Sequence, residues 1–247
     1  MVKFIEDTHQ YLSLEDQSPW VSVTQLIHKY EPKKNWDQIA ARYAKKHNLN
    51  VADVKAKWRR ENEISVERGV KFHKQREQDL LSCETIDETG TALKIFRPII
   101  DEKGDKIAPS QKLEDGIYPE LLVLLNSARI CGQADYVWIH DNKVNIRDYK
   151  TNKEIKKNAF VNWEGIEEKM VDPIGSIPNC NYWHYALQLN IYAYIIRKNN
   201  PRLKLGDLEL LHVKFDENEE VCGMDKYLLP DLQSEVFKLI THYKNAR

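Results

Sequence analysis

The chain has 247 residues, of which 42% are hydrophobic and 30% are charged, and its formal net charge is −1. This composition is ordinary for a globular protein with an ample core and excludes fibrous or disordered classes. No apolar run approaches the ~20 residues of a membrane span, and the first residues resemble no signal peptide, so we expect a cytoplasmic protein without membrane association.

The first third of the chain, residues 1–83, is predicted to be mostly helical. After a short strand and turn, Ser22 and Gln25 form a capping-box pattern that predicts the start of a helix. A second helix is expected over residues 36–47. Asn50, followed by Asp53, predicts a long helix that continues to about Cys83.

This helical region is strongly basic. Residues 28–76 contain 14 Lys/Arg and 6 Asp/Glu, although the whole chain is nearly neutral. Such a surplus is common on lysine-rich surface helices. It also suits a positive wall that follows a phosphate backbone beside an acidic, metal-loaded centre.

The rest of the chain predicts a mixed α/β pattern. Residues 84–117 are expected to form loops and short strands, because glycine, proline and charges interrupt any periodicity. A strand over residues 118–125 precedes a β-hairpin with strands at 131–139 and 143–151 and turn residues between them. The last regular elements are an amphipathic helix, two strands and a closing helix, over residues 182–199, 208–215, 226–228 and 232–243.

Between the hairpin and the amphipathic helix, residues 152–178 are polar and irregular. Lys153, Lys156 and Lys157 lie there together with Trp163. Basic side chains interleaved with aromatic ones suit contact with a nucleic-acid strand, and they are also found in ordinary surface loops. No interdomain linker is evident, so we expect a single domain, 1–247, with residues 118–247 as its catalytic core.

Three charged residues lie within the predicted hairpin. Asp135 is in its first strand, and Asp148 and Lys150 are two apart in the second, so these two share a face. Two carboxylates supply hard oxygen ligands to Mg²⁺, and a nearby ammonium can orient water or stabilise charge on a phosphate. From these residues alone, phosphoryl chemistry and an ordinary exposed ion pair stay equally open.

Five short motifs follow one another over roughly 120 residues. In chain order they are Gly69-x-x-x-His73-x-x-x-Glu77, Glu120, Gly132-x-x-Asp135, Asp148-Tyr149-Lys150 and Gln188-x-x-x-Tyr192. Together they resemble the core of the PD-(D/E)XK nuclease superfamily. The best match within it is the RecB-like branch of phage-type exonucleases, which includes the mitochondrial genome maintenance exonuclease.

The resemblance implies a restriction-endonuclease-like core, in which helices flank a central mixed β-sheet. It implies Mg²⁺ or Mn²⁺ as the cofactor, and it assigns as metal ligands Asp135, Asp148, the Tyr149 main-chain carbonyl, His73 and Glu120. As catalytic residues it adds Lys150, Gln188 and Tyr192. In this assignment Lys150 activates or positions the attacking water, and Gln188 supports Lys150.

The resemblance also bears on two further features. Glu77 is expected to be a partner of His73 or a substrate contact. Some relatives carry an iron-sulfur cluster whose last three cysteines lie close together near the C-terminus. Here no iron-sulfur cluster is expected, because the four cysteines, which we read as reduced thiols, are far apart: Cys83, Cys131, Cys180 and Cys222.

The implied function is metal-dependent exonucleolytic hydrolysis of DNA, on single-stranded or duplex ends, in recombination, repair or end processing. A phage or bacterial origin is compatible with it. Two alternatives stay open: a structure-specific or sequence-specific endonuclease, and a nuclease-fold DNA-binding subunit that is active only in a complex. The chain has no Gly-x-x-x-x-Gly-Lys-[Ser/Thr] loop, so ATP-driven unwinding would require a helicase or recombinase partner.

Overall fold

The computed structural model describes residues 2–6, 8–88, 90–162 and 164–246 and has a mixed α/β fold. Helices α1 to α5 span Val23–His28, Trp36–His47, Val51–Leu81, Asn181–Asn199 and Gln233–Asn245. Strands β1 to β12 span Val2–Ile5, Gln10–Ser13, Val21–Ser22, Thr85–Glu88, Thr91–Lys94, Ile99–Ile100, Lys106–Ile107, Gly116–Leu125, Ile130–His140, Lys143–Lys150, Lys204–Phe215 and Val221–Leu228.

Among the described residues, no helix combines the length and the apolar character that a membrane span requires.

The predicted helix starts are confirmed, because local caps determine them. The Ser22 hydroxyl accepts the Gln25 N–H, and the Gln25 side chain accepts the Ser22 N–H, each at 3.0 Å. The Asn50 side chain accepts the Ala52 N–H at 2.7 Å and begins α3. Residues 1–83 are mostly helical, as predicted, but they also contain β1, β2 and β3.

The central sheet has six strands and is mixed, as predicted. The strand order is β12-β11-β10-β9-β3. Strand β8 lies off this path and also pairs with β9. The pairs β10–β11 and β3–β9 are parallel, and the remaining pairs are antiparallel. The predicted hairpin is β9–β10, and its turn is shorter than expected: Asp141 and Asn142, with φ of 49° and 55°, form a two-residue turn of the type I′ class.

Helices α4, α1 and α5 cover one face of this sheet, and their apolar side chains form the main core with it. On the other face, β1 and its neighbours pack against Leu122 and Leu124, and the end of α3 packs with the β4–β5 hairpin. Only Val54 is buried among the 31 residues of α3, so most of this basic helix faces solvent or a cavity.

Helix α3 comes very close to the end of β10. Arg68 Nη2 donates to the Thr151 carbonyl at 3.1 Å. A Cβ added to Gly69 would lie 3.3 Å from Thr151 Oγ1, tighter than most side-chain contacts. Glycine in a helix costs about 1 kcal/mol relative to alanine, and here it lets α3 approach the end of the hairpin closely.

Candidate metal centre

Glu120 and Asp135 lie opposite each other on β8 and β9. The paired residues on either side of them are Pro119 with Tyr136 and Leu121 with Ala134. Glu120 has φ of 49°, a left-handed conformation that costs a non-glycine residue about 1–3 kcal/mol. Like charges directly across a strand pair are also destabilising, so this position favours a proton or a cation between the two carboxyl groups.

The side-chain alternation shifts by one residue at this point in both strands. In β8, Tyr118 and Leu121 both belong to the core formed with α4, although strict alternation would put them on opposite faces. In β9, Ala134 and Val137 show the same shift. Irregularities of this kind bend a strand and re-aim a side chain, and they are frequent next to functional sites.

His73 joins these two carboxylates from α3. One ligand atom from each of His73, Glu120 and Asp135 can be chosen so that all three lie within 4.8 Å of one another. His73 Nδ1 is 3.2 Å from Asp135 Oδ2, which also accepts the backbone N–H of Tyr149 at 2.8 Å. Gln133 Nε2 donates to Glu120 Oε2. These contacts fix the orientation of the carboxylates at a site that could hold a cation.

Asp148 lies beside this cluster and is only 1% exposed. The Lys150 ammonium forms an ion pair with Asp148 Oδ2 at 2.6 Å, and Asp148 Oδ1 has no hydrogen bond to the described residues. Lys150 Nζ also lies 4.9 Å from the centre of the Tyr185 ring. A buried carboxylate oxygen without a hydrogen bond is costly, and a cation bound to Asp148 Oδ1 would remove that cost.

The pKa shifts follow from this crowding of carboxyl groups. Burial and the charge of Asp135 raise the pKa of Asp148 to about 6. The same two causes raise the pKa of Glu120 well above its usual value. Burial lowers the pKa of Lys150, but the charges of Asp148 and Asp135 outweigh it and leave that pKa raised. The site therefore retains protons on its lysine and resists full ionisation of its acids.

Gln188 and Tyr192, from α4, line a cavity of about 260 Å³ together with the cluster of His73, Glu120 and Asp135. Gln188 Nε2 donates to the Tyr192 hydroxyl at 3.0 Å. Among the described residues no hydrogen bond joins Gln188 to Lys150, and the expected support of Lys150 by Gln188 stays a prediction. Asp148 and Lys150 lie outside the lining of this cavity, close enough for Asp135 to shift the pKa of both.

The Tyr192 ring packs against the backbone of Gly132 and leaves no room for a side chain there. A Cβ at residue 132 would come within 2.5 Å of Tyr192 Cε1, closer than real Cβ atoms approach a neighbour. Tyr192 itself is buried, at 3% exposure. The Gly132-x-x-Asp135 motif thus has a packing reason at its first position.

Glu77, Lys106 and Gln133 also line the cavity of the metal centre. Glu77 is paired with Lys106 at 2.8 Å, whereas His73 Nδ1 lies against Asp135, and a substrate contact by Glu77 stays a prediction. Lys106 comes from β7, inside the stretch expected to be loops and short strands, and no local pattern marks it. Gln133 was also missed, although it lies two residues before Asp135 in the same strand, and alternation could have indicated it.

Five predicted site residues therefore line one cavity, and Asp148 and Lys150 lie next to it, outside its lining; the five are His73, Glu120, Asp135, Gln188 and Tyr192. Tyr149 reaches Asp135 through its backbone N–H, and a role for its carbonyl stays a prediction. In the polar stretch of residues 152–178, Lys157 Nζ lies 4.9 Å from the ring centre of Tyr227. Lys156 pairs with Glu154 at 2.9 Å. Trp163 lies outside the described residues.

No family model matches the chain, and no curated protein matches it. Among solved structures, one titled "Crystal structure of SSO0001" is similar to this chain at 14% sequence identity and a TM-score of 0.35. The match covers 92% of this chain and 76% of that chain. At this TM-score neither the fold nor the function of the chain is inferred from it.

Proposed function

We propose that the chain is a metal-dependent nuclease with a restriction-endonuclease-like core, a RecB-like member of the PD-(D/E)XK superfamily that acts as a DNA exonuclease. One observation carries the proposal. Asp148, a carboxylate that is 1% exposed and paired with Lys150 at 2.6 Å, lies beside the cluster of His73, Glu120 and Asp135, so three carboxyl groups meet with their charges incompletely offset.

The donor atoms fit Mg²⁺ or Mn²⁺. Carboxylate oxygens are the ligands that hard divalent cations prefer, and a neutral imidazole is acceptable to Mn²⁺. Asp135, Asp148 and Glu120 would hold the ion, with His73 as the nitrogen ligand. When bound there, such an ion lowers the pKa of a water molecule and offsets charge on a phosphate.

The protein side chains supply the remaining functions. Lys150, whose raised pKa keeps its Nζ protonated, acts as a positive charge that holds the attacking water or a phosphate oxygen. The Tyr149 N–H fixes Asp135 in place. Gln188, oriented by the Tyr192 hydroxyl, faces the cavity and is available to contact the phosphate next to the cleaved bond.

A cleavage assay tests this proposal. End-labelled linear DNA and closed circular DNA, each single- and double-stranded, are incubated with Mg²⁺, with and without EDTA. We expect loss of the linear substrates alone, and the labelled end gives the polarity. Lys150→Ala should abolish cleavage, and Lys143→Ala, an exposed lysine at the opposite end of the same strand, should not.

Two outcomes would change the proposal. Cleavage of circles would replace the exonuclease by an endonuclease. Failure to cleave any substrate, with DNA binding retained, would refute catalysis by the isolated chain and favour a binding subunit that acts only with a partner.

A further inference from the structure

A second cavity lies along the first half of α3. Its volume is about 850 Å³, and Thr151 and Asn152, which directly follow Lys150, form part of its wall. The second half of α3 lines the cavity of the metal centre. We call the second cavity the Arg68 groove, and its side chains include Trp58, Ile64, Arg68, Lys153, Lys214 and Phe215.

Arg68 places a positive charge in this groove. Its guanidinium lies 5.0 Å from the centre of the Phe215 ring, and Nη2 donates to the Thr151 carbonyl. Its Nε is buried without a hydrogen bond, and no carboxylate of the described residues forms an ion pair with it. A half-buried guanidinium that no described carboxylate neutralises is suited to an oxyanion, and phosphate matches its two-pronged geometry.

The rest of the wall combines further positive charge with apolar surface. Lys153 is exposed and makes no ion pair with the described residues, whereas Lys214 is paired with Asp225 at 2.7 Å. The one carboxylate in the wall among the described residues, Glu61, lies 3.9 Å from Lys57. Ile64, which is 46% exposed, and Trp58 add apolar surface to the wall.

We propose that the Arg68 groove binds a single-stranded segment of nucleic acid. Arg68 and Lys153 hold backbone phosphates, and bases lie against Trp58 and Ile64. Paired bases in a duplex do not offer their faces to side chains, whereas an unpaired strand offers both its phosphates and its base faces. That this segment continues to the metal centre rests on the proposed nuclease function, but binding in the groove does not.

Fluorescence anisotropy with labelled oligothymidylate and a blunt duplex of equal length, both in EDTA, tests the groove directly. The wild-type chain should prefer the single strand. Arg68→Met should weaken that binding roughly tenfold and reduce the salt dependence by about 0.7 in the log–log slope, as expected for one lost phosphate contact on a single strand.

Because Arg68 also contacts Thr151, a second variant guards against loss of folding. Lys153→Glu changes an exposed side chain and should weaken single-strand binding at least as much. Its matched control is Lys238→Glu, an exposed lysine on α5 with the same charge change, which should bind like the wild type. Thermal unfolding of each variant verifies that it is folded.

The proposal is overturned if the wild type does not bind the single strand at low salt, or binds the duplex as tightly. It is also overturned if the folded Arg68 and Lys153 variants bind like the Lys238 variant. Groove-dependent binding without any cleavage in Mg²⁺ would uphold the groove and refute the nuclease. Cleavage in Mg²⁺, with single-strand binding unaffected by the groove variants, would uphold the nuclease and refute the groove.

Discussion

Arg147 and Asp148 are neighbours on β10, and their side chains lie on opposite faces of the central sheet in two very different charge clusters. Arg147 Nε donates to Glu209 Oε2 at 2.8 Å, and its Nη1 donates to Glu88 Oε1 at 3.1 Å. Lys226 also donates to Glu209. Two cations thus meet two carboxylates, and every charged group has a partner.

The cluster around Asp148 is not balanced in this way. It brings Glu120, Asp135 and Asp148 together with the Lys150 ammonium and the His73 imidazole, and the nearby Lys106 is paired with a further carboxylate, Glu77. The charges in this cluster therefore match only when a proton or a further cation is present.

The pKa shifts in the two clusters have opposite consequences. Burial raises the pKa of Glu209, but Lys226 and Arg147 outweigh it and leave that pKa lowered, so its charged form is favoured. In the other cluster, burial and Asp135 raise the pKa of Glu120 and Asp148, so their charged forms are disfavoured. A cluster whose members stabilise each other's charges contributes to folding, and one whose members oppose them is suited to a ligand.

The largest expected effect is on catalysis. Asp148→Asn keeps the shape of the side chain but removes a metal-binding charge, and we expect the single-turnover rate of DNA cleavage to fall roughly 10²–10³-fold. Glu209→Gln, one strand away on the balanced side, should leave the rate per folded molecule unchanged. Equal losses in both variants would show that the two clusters do not differ in function.

The next effect is the response to metal. Mn²⁺ at 100 times its dissociation constant should stabilise the wild-type fold by about 2.7 kcal/mol, because only the folded chain presents the site. Thermal unfolding with increasing Mn²⁺ measures this. Asp135→Asn should lose the stabilisation, and Glu209→Gln should keep it. If Mn²⁺ still stabilises the Asp135 variant, the ion binds in another part of the molecule.

A smaller effect is expected on stability without metal. Glu209→Gln removes the carboxylate that Arg147 and Lys226 share, and it should lower the free energy of unfolding by about 2 kcal/mol. Urea unfolding in EDTA gives this number. An unchanged unfolding free energy would mean that the balanced cluster contributes nothing to folding, and the contrast between the two faces would disappear.

Elements whose cause is local could be predicted from the sequence. Helices α1 and α3 begin where Ser22 and Asn50 cap them, and the shared face of Asp148 and Lys150 follows from strand alternation. The α/β class followed from the order of these elements.

The rest of the site depends on long-range contacts that no local pattern encodes. Glu120 and Asp135 meet only after β8 has paired with β9 in the register that places them opposite each other. Lys106 reaches Glu77 only after β7 has paired with β1. The hydrogen bond of Gln188 to Tyr192 was missed because the resemblance suggested Lys150 as its partner.

The smallest predicted effect is the pH dependence of stability that one carboxylate of each cluster, Glu209 or Asp148, causes, measured in EDTA. The pKa of Glu209 is lowered in the folded state, so its contribution to stability is present above its unfolded pKa of about 4.5 and is lost as the pH falls through the folded value. The stability difference between wild type and Glu209→Gln should therefore shrink in acid. Asp148 has the opposite sign, because its folded pKa of about 6 exceeds the unfolded value. The wild type should lose stability relative to Asp148→Asn as the pH rises through about 6. Parallel pH profiles for the two variants would contradict the distinction between a balanced and an unbalanced cluster.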